Sequence, residues 1–270
     1  MKLNFGCGNR FSREWENIDF HSDDSNVRRV NLLAGFPYQD ASMSAVYSSH
    51  VLEHFDRTMG SFLLKESFRV LRKGGILRIV VPDLQGSCDE YVRILSLPDD
   101  AEKKKLYSWI IIELLDQMVR NTRSGEMGSF VHKVSSGNDN DFKEYILSRT
   151  QTDFLHSTAP TQASLSSKLG KLTFQKLSTK LSYLYLKCVS QLIPSSLRSM
   201  VMVNTDIGER HRWMYDEYSL KLLFEEAGFS QIRRMTYNES ALSDFNTFHL
   251  DCEADGTPYK RNSIFMEGVK

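Results

Sequence analysis

The chain has 270 residues, with 34 Lys and Arg against 34 Asp and Glu, so its formal charge is zero. That balance removes any broad electrostatic case for nucleic-acid binding, and the length suits one large core or a core with an inserted subdomain. Cys7, Cys88, Cys188 and Cys252 are widely spread with no C-x-x-C pair, so neither a zinc site nor a disulfide framework is indicated. No signal peptide precedes Leu3 and no apolar run approaches transmembrane length; the expectation is a cytoplasmic protein.

A short strand runs into Gly6-Cys7-Gly8, and a second ends at Asp19. Glycines let the backbone turn tightly and approach a ligand, and a strand-end carboxylate can accept hydrogen bonds from a ribose diol. Taken alone the triplet is equally compatible with a plain turn. Ser44 to Ser49 reads as a further strand, followed by His50-Val-Leu-Glu-His54 at the start of a helix capped by Thr58. The apolar positions Phe62, Leu63, Ser67, Val70 and Leu71 carry that helix to a stop at Lys73-Gly74-Gly75. Ile76 to Val81 then predicts a central strand covered by helices on both faces, ending at Pro82-Asp83. Ala101 to Arg120 predicts a helix with Leu106, Trp109, Ile110, Leu114 and Met118 near one stripe, and Ser124 to Asp141 predicts a mobile, glycine-bearing loop. Asp216 or Ser219 starts a last helix closed by Gly228, with strands over Phe229 to Met235 and Ile264 to Val269. Alternating strands and helices give a layered α/β sandwich.

These pieces, in this order, resemble a class I S-adenosylmethionine-dependent methyltransferase of a small bacterial group found beside sugar and cell-surface glycan genes. The motifs that carry the likeness are Leu3 to Gly8, Trp15 to Asp19, Phe36 to Asp40 before Ala45 to His54, Arg69 to Gly75 before Leu77 to Asp83, and His211 to Tyr215 before Leu220 to Phe229. The resemblance implies a Rossmann-like three-layer sandwich with a seven-stranded, mostly parallel sheet whose last strand is antiparallel. It implies a core of residues 1–95 and 204–270, with 96–203 as a mostly helical insertion or lid. By position, Gly6, Cys7 and Gly8 would cradle the methionyl part of the cofactor, Asp19 the ribose, Asn31 and Leu32 the adenine, while Ser49 and His50 would lie near the sulfonium. Asn4 and Asn31 stand where many relatives carry acids, and an amide accepts a weaker bond than a carboxylate. Only ten residues separate Gly8 from Asp19, room for at most an abbreviated first helix. A dinucleotide oxidoreductase is the poorer reading, because the longer G-x-G-x-x-G pattern is not completed.

Between Asp153 and Asp206 no acid occurs, while Lys168, Lys171, Lys176, Lys180, Lys187 and Arg198 do. On a helix, Leu172, Leu177, Leu181, Leu184, Tyr185, Cys188 and Leu192 share a face flanked by lysines. That pattern suits a lid helix, a peripheral contact of residues 165–200 with the inner membrane, or an oligomer contact. Its charge also suits an anionic acceptor.

Methyl transfer from a sulfonium needs alignment and exclusion of water, and a hydroxyl acceptor also needs a base. The candidates are His50, Asp83 and His211. Asp83 sits at the carboxyl end of a strand, and His211 lies in the cationic, aromatic segment Arg210 to Tyr215. His50 and His54, four apart, are expected on one helical face with Glu53 off it, so no metal is indicated. The family likeness favours O-methylation of a small-molecule or lipid-linked sugar acceptor. N-methylation of a small molecule or protein, and a catalytically degenerate scaffold, stay as alternatives.

Overall fold

The computed structural model describes residues 1–150 and 208–270, with 185, 188–189 and 192–194 between them. Strands β1 (Lys2–Phe5), β2 (Glu16–Asp19), β3 (Val27–Arg29), β4 (Met43–Ser49), β5 (Leu71–Pro82), β6 (Ser230–Met235) and β7 (Ser263–Val269) form one sheet in the order β3-β2-β1-β4-β5-β7-β6. The pairs β3–β2, β2–β1, β1–β4 and β4–β5 are parallel, and β7 runs antiparallel to both β5 and β6. This is the expected seven-stranded sandwich with its last strand reversed.

Among the described residues the helices are α1 (Arg57–Val70), α2 (Leu84–Leu95), α3 (Ala101–Val119), α4 (Gly125–Ser135), α5 (Asn140–Arg149) and α6 (Glu217–Ala227). Five of the six begin at an aspartate: Asp56, Asp83, Asp100, Asp139 and Asp216 each accept from the amide three residues on, satisfying a donor the helix leaves open. Thr58 is therefore not the cap of α1; Asp56 is, and Ser219 instead completes the capping box of α6 with Asp216. The first helix ends at Val70, earlier than the glycines suggest. Leu71 already pairs with Met43, and Gly74, at φ +75°, belongs to an irregular turn within β5 before Ile76 resumes the ladder opposite Ala45. A second correction concerns Ser124 to Asp141, which is largely the helix α4 because Met127 and Val131 bury against α3.

Strand alternation divides the sheet cleanly. Leu3, Phe5, Val46, Leu77, Ile79, Val81, Ile264 and Met266 face α1 and α6 in the main core. Ala45, Tyr47, Val80 and Phe265 face the other way. No helix occupies the link between β1 and β2, and this second face is closed by Trp15 and by Phe245, Phe248 and Leu250 from the long β6–β7 connection. Arg78 projects into the same layer. It donates to Asp251 (2.7 Å), Glu267 (2.8 Å) and the carbonyls of Glu239 and Thr236, so its buried charge is fully answered. Helices α2 to α5 share a separate core around Trp109, Ile110, Phe142 and Ile146. Leu172, Leu177, Leu181 and Leu184 of the predicted stripe, and its lysines, lie outside the described residues. Among the described residues no helix is long and apolar enough to cross a membrane.

Candidate functional site

The carboxyl ends of β1, β2, β4 and β5 open onto one crevice, the edge where parallel α/β sheets bind ligands. Gly6 and Gly8 both hold positive φ, +64° and +52°. A Cβ on Gly6 would run into the Val51 methyls, so the close passage of these two loops demands glycine there. The Gly8 amide donates to Asp19 Oδ2 (2.8 Å), and His21 donates to Oδ1 (2.9 Å). Asp19 thus fixes the loop and keeps further lone pairs available at the mouth of the crevice.

Three clefts meet here. The first, about 450 Å³, runs from Gly6, Gly8 and Asp19 between Leu32, Leu33, Val51 and Phe55, with a carboxylate at one end and apolar walls along it. The second, about 170 Å³, lies over Asn4, Cys7, Ser49, Tyr259 and Lys260. The third, about 330 Å³, is polar and is walled by His50, Glu53, His54, Glu113, His211 and Lys260 among others. His50 lines all three.

The expected binding residues distribute unevenly. Asn4 lines the second cleft, where its Oδ1 is buried without a partner among the described residues while its Nδ2 donates to the Arg10 carbonyl (3.2 Å). Cys7 is buried and its thiol is pushed up to about 12 by burial and by Asp19, so it packs as a neutral group. Leu32 lines the first cleft, but Asn31 is exposed and caps the short 3₁₀ turn Leu32–Ala34 by accepting from Leu33. Asp83 is committed elsewhere. One oxygen accepts from Gly86 at the start of α2 and the other from Arg234 (2.8 Å), leaving it a cap and an ion-pair partner rather than a group facing the three-way junction.

His50 to His54 do not form the start of a helix. His50 sits at φ +53°, and Leu52–His54 is a single 3₁₀ turn before α1. The tighter turn rotates Glu53 inward, contrary to its expected place off the histidine face. Glu53 is fully buried, and neither carboxylate oxygen has a hydrogen-bond partner among the described residues. His50 Nδ1 stands 3.4 Å from its Oε1. Burial raises the Glu53 pKa, with His54, its own backbone amide and Lys260 pulling the other way.

His211 is brought to this spot by the backbone. Its amide donates to the Gln117 carbonyl of α3 (2.9 Å), and the next two amides, Arg212 and Trp213, donate to the Glu53 carbonyl (2.7 and 3.2 Å). Its ring lies edge-on to His54 with centroids 5.1 Å apart. Burial, His54, Arg120 and Lys260 lower its pKa to about 3, so the imidazole is neutral. His50 is likewise held below its ordinary value, first by burial, and its Nε2 meets Ser263 Oγ at 2.9 Å. His54 Nδ1 donates to the Arg210 carbonyl (3.0 Å), which leaves Nε2 outside that bond.

Sequence reasoning missed Glu53, Lys260 and Glu113. Lys260 arrives from the β6–β7 connection, and burial lowers its pKa to about 8, with Glu53 opposing and Arg10 reinforcing. Glu113 receives Arg149, Trp109 and Asn262 and forms the far wall. The i, i+4 spacing of Trp109 and Glu113 on a recognisable helix was the one signal in the sequence for the latter.

A glycine cradle, a ribose-ready carboxylate, a buried unpartnered amide oxygen and an apolar slot fit an adenosyl-methionyl molecule in shape and chemistry. Residues 16–79 match the family profile described as a methyltransferase domain. No curated protein matches the chain. Among solved structures, it is similar to a methyltransferase from Thermotoga maritima described as a possible histamine N-methyltransferase, at 12% identity over 100% of this chain and 81% of that one, TM-score 0.40. A SAM-dependent methyltransferase from Archaeoglobus fulgidus gives 11% identity over 100% and 85%, TM-score 0.38, and one from Mesorhizobium loti 12% over 100% and 90%, TM-score 0.36. The strand order and the profile match together give the chain the fold of a class I S-adenosylmethionine-dependent methyltransferase.

Proposed function

We propose that the protein is an S-adenosylmethionine-dependent methyltransferase acting on a hydroxyl of a polar, sugar-like acceptor. The observation that carries this reading is the meeting of the three clefts at His50: a slot suited to adenosine, a pocket suited to the methionyl end, and a polar cleft for an acceptor. When bound, the cofactor supplies an electrophilic methyl group. Asp19 would hold the ribose hydroxyls, Leu32, Leu33 and Phe55 the base, and Asn4 with Lys260 the methionyl amino and carboxylate groups. The acceptor cleft offers carboxylates, guanidinium groups and an amide, a lining that hydrogen-bonds a polyhydroxylated molecule. His50 and His211 are the neutral imidazoles on that wall, and either is chemically able to take the hydroxyl proton.

Calorimetry with S-adenosylmethionine, its demethylated product and NAD tests the cofactor: heat with NAD alone defeats the reading. Transfer of labelled methyl to sugars, glycan precursors and amines tests the acceptor. Turnover confined to amines overturns O-methylation, and binding without turnover on any acceptor points to a scaffold.

A further inference from the structure

We propose that Glu53, His54 and His211 form a binding site for one divalent transition-metal ion of the zinc type at the inner end of the acceptor cleft. One donor atom from each residue lies within 4.8 Å of the others. Two imidazoles and a carboxylate are the donor set that zinc and related ions take, with coordination positions left open for an exogenous ligand.

The second observation is independent of that spacing. Glu53 is 0% exposed and both of its oxygens lack hydrogen-bond partners among the described residues, an expensive arrangement unless something else meets the carboxylate. Its tie to the two histidines is also built into the backbone, since the Glu53 carbonyl receives the Arg212 and Trp213 amides and so clamps His211 beside it. His54 carries the outer support expected of a ligating imidazole: Nδ1 donates to a backbone carbonyl and Nε2 keeps its lone pair. His211 makes no ring hydrogen bond among the described residues, so both its nitrogens are uncommitted. Donor atoms around a tetrahedral ion with bonds of about 2.0–2.1 Å stand roughly 3.3 Å apart, so the three side chains draw together on binding. Lys260 and Arg261 work against the ion electrostatically, whereas Arg120 and Arg149 are already paired with Asp116 and Glu113.

The open positions would face the acceptor cleft, where a Lewis acid lowers the pKa of a hydroxyl that meets it. That role rests on the proposed methyl transfer; the site itself does not, and it is tested without cofactor or acceptor.

The test uses tag-free full-length protein stripped with a chelator and titrated with zinc, with cobalt as the coloured substitute. The expected result is one ion per chain, weakened at least about 100-fold in each of Glu53→Gln and His211→Ala, beyond the range for outer-shell changes. His249→Ala, at the unrelated His249–Cys252 pair, should bind as wild type does. Failure of the wild type to take up an ion, or uptake that survives both substitutions, overturns the proposal. Should the buried substitutions unfold the chain, wild-type protein decides the matter through carbethoxylation: zinc must shield His54 and His211, and unchanged labelling of both overturns the site.

Discussion

Two groups of buried charge, one centred on Arg78 within β5 and one on Glu53 in the turn after β4, are built to opposite rules. Around Arg78 every donor has an acceptor: Asp251 and Glu267 receive the guanidinium, Tyr47 donates to Asp251 (2.5 Å), and Ser240 and the Ala241 amide close on Glu267. Around Glu53, two oxygens have no hydrogen bond among the described residues, and His50, His54, His211 and Lys260 crowd near them. A satisfied network fixes one conformation, and here it pins the β6–β7 connection onto the sheet face that lacks its helix. An unsatisfied one keeps interaction free energy available for a ligand. Each cluster holds a buried glutamate, Glu267 in one and Glu53 in the other, and satisfaction of their oxygens separates framework from site.

The sharpest way to break that contrast is to remove a framework charge. Arg78→Met should cost about 3–5 kcal/mol of stability in urea unfolding, because Asp251 and Glu267 stay buried without their counter-ion. A loss under 1 kcal/mol would mean the network is ornamental. His211→Ala should lower turnover by about 10²–10⁴-fold with nearly unchanged cofactor affinity, whether the ring takes a proton or holds an ion. A change of tenfold or less, with raised acceptor KM, would make it a binding residue only. Asp19→Ala should weaken cofactor binding by about 1.5–3 kcal/mol by calorimetry, the range for hydrogen bonds to a charged group.

How far the sequence announced this contrast differs from region to region. The strands β4, β5 and β7 were readable because they carry apolar residues on both faces, as centrally placed strands must. Gly6, Gly8 and Asp19 were readable because backbone conformation and strand ends are local properties. The helix α4 was missed although Met127, Phe130, Val131 and Val134 stand at helical spacing, because its glycines and polar residues outweighed that short stripe, which packs on the apolar surface of α3. Asp83 misled for a related reason, since a strand-end acid and a helix cap look the same until Arg234 arrives from β6. Glu53 and Lys260 were invisible because one turn of 3₁₀ backbone and a connection more than two hundred residues away decide where they point.

Smaller effects refine the comparison. Glu53→Leu should leave stability unchanged or raise it slightly, the reverse of Arg78→Met, since it removes a buried group with nothing bonded to it. A fall of more than 2 kcal/mol would show that the carboxylate is already satisfied. Lys260 gives a pH signature. Its folded pKa, about 8, lies below the ordinary 10.5, so the unfolded chain binds more protons between those values and stability from this group rises as pH climbs through that window. Lys260→Met should flatten the rise in thermal melts, and an unchanged profile would assign it to other groups.

Gly6 and Val51 meet so closely that Gly6 cannot be altered alone. Val51 immediately follows the histidine at the junction of the clefts, so the loop that would grip the methyl donor and the loop that would confront the acceptor are mechanically one part. Across diverging descendants of this chain, any side chain gained at position 6 would have to be matched by one lost at position 51. A two-position library at these sites should return glycine at position 6 with a range of residues at 51, and a side chain at position 6 only where position 51 has shrunk.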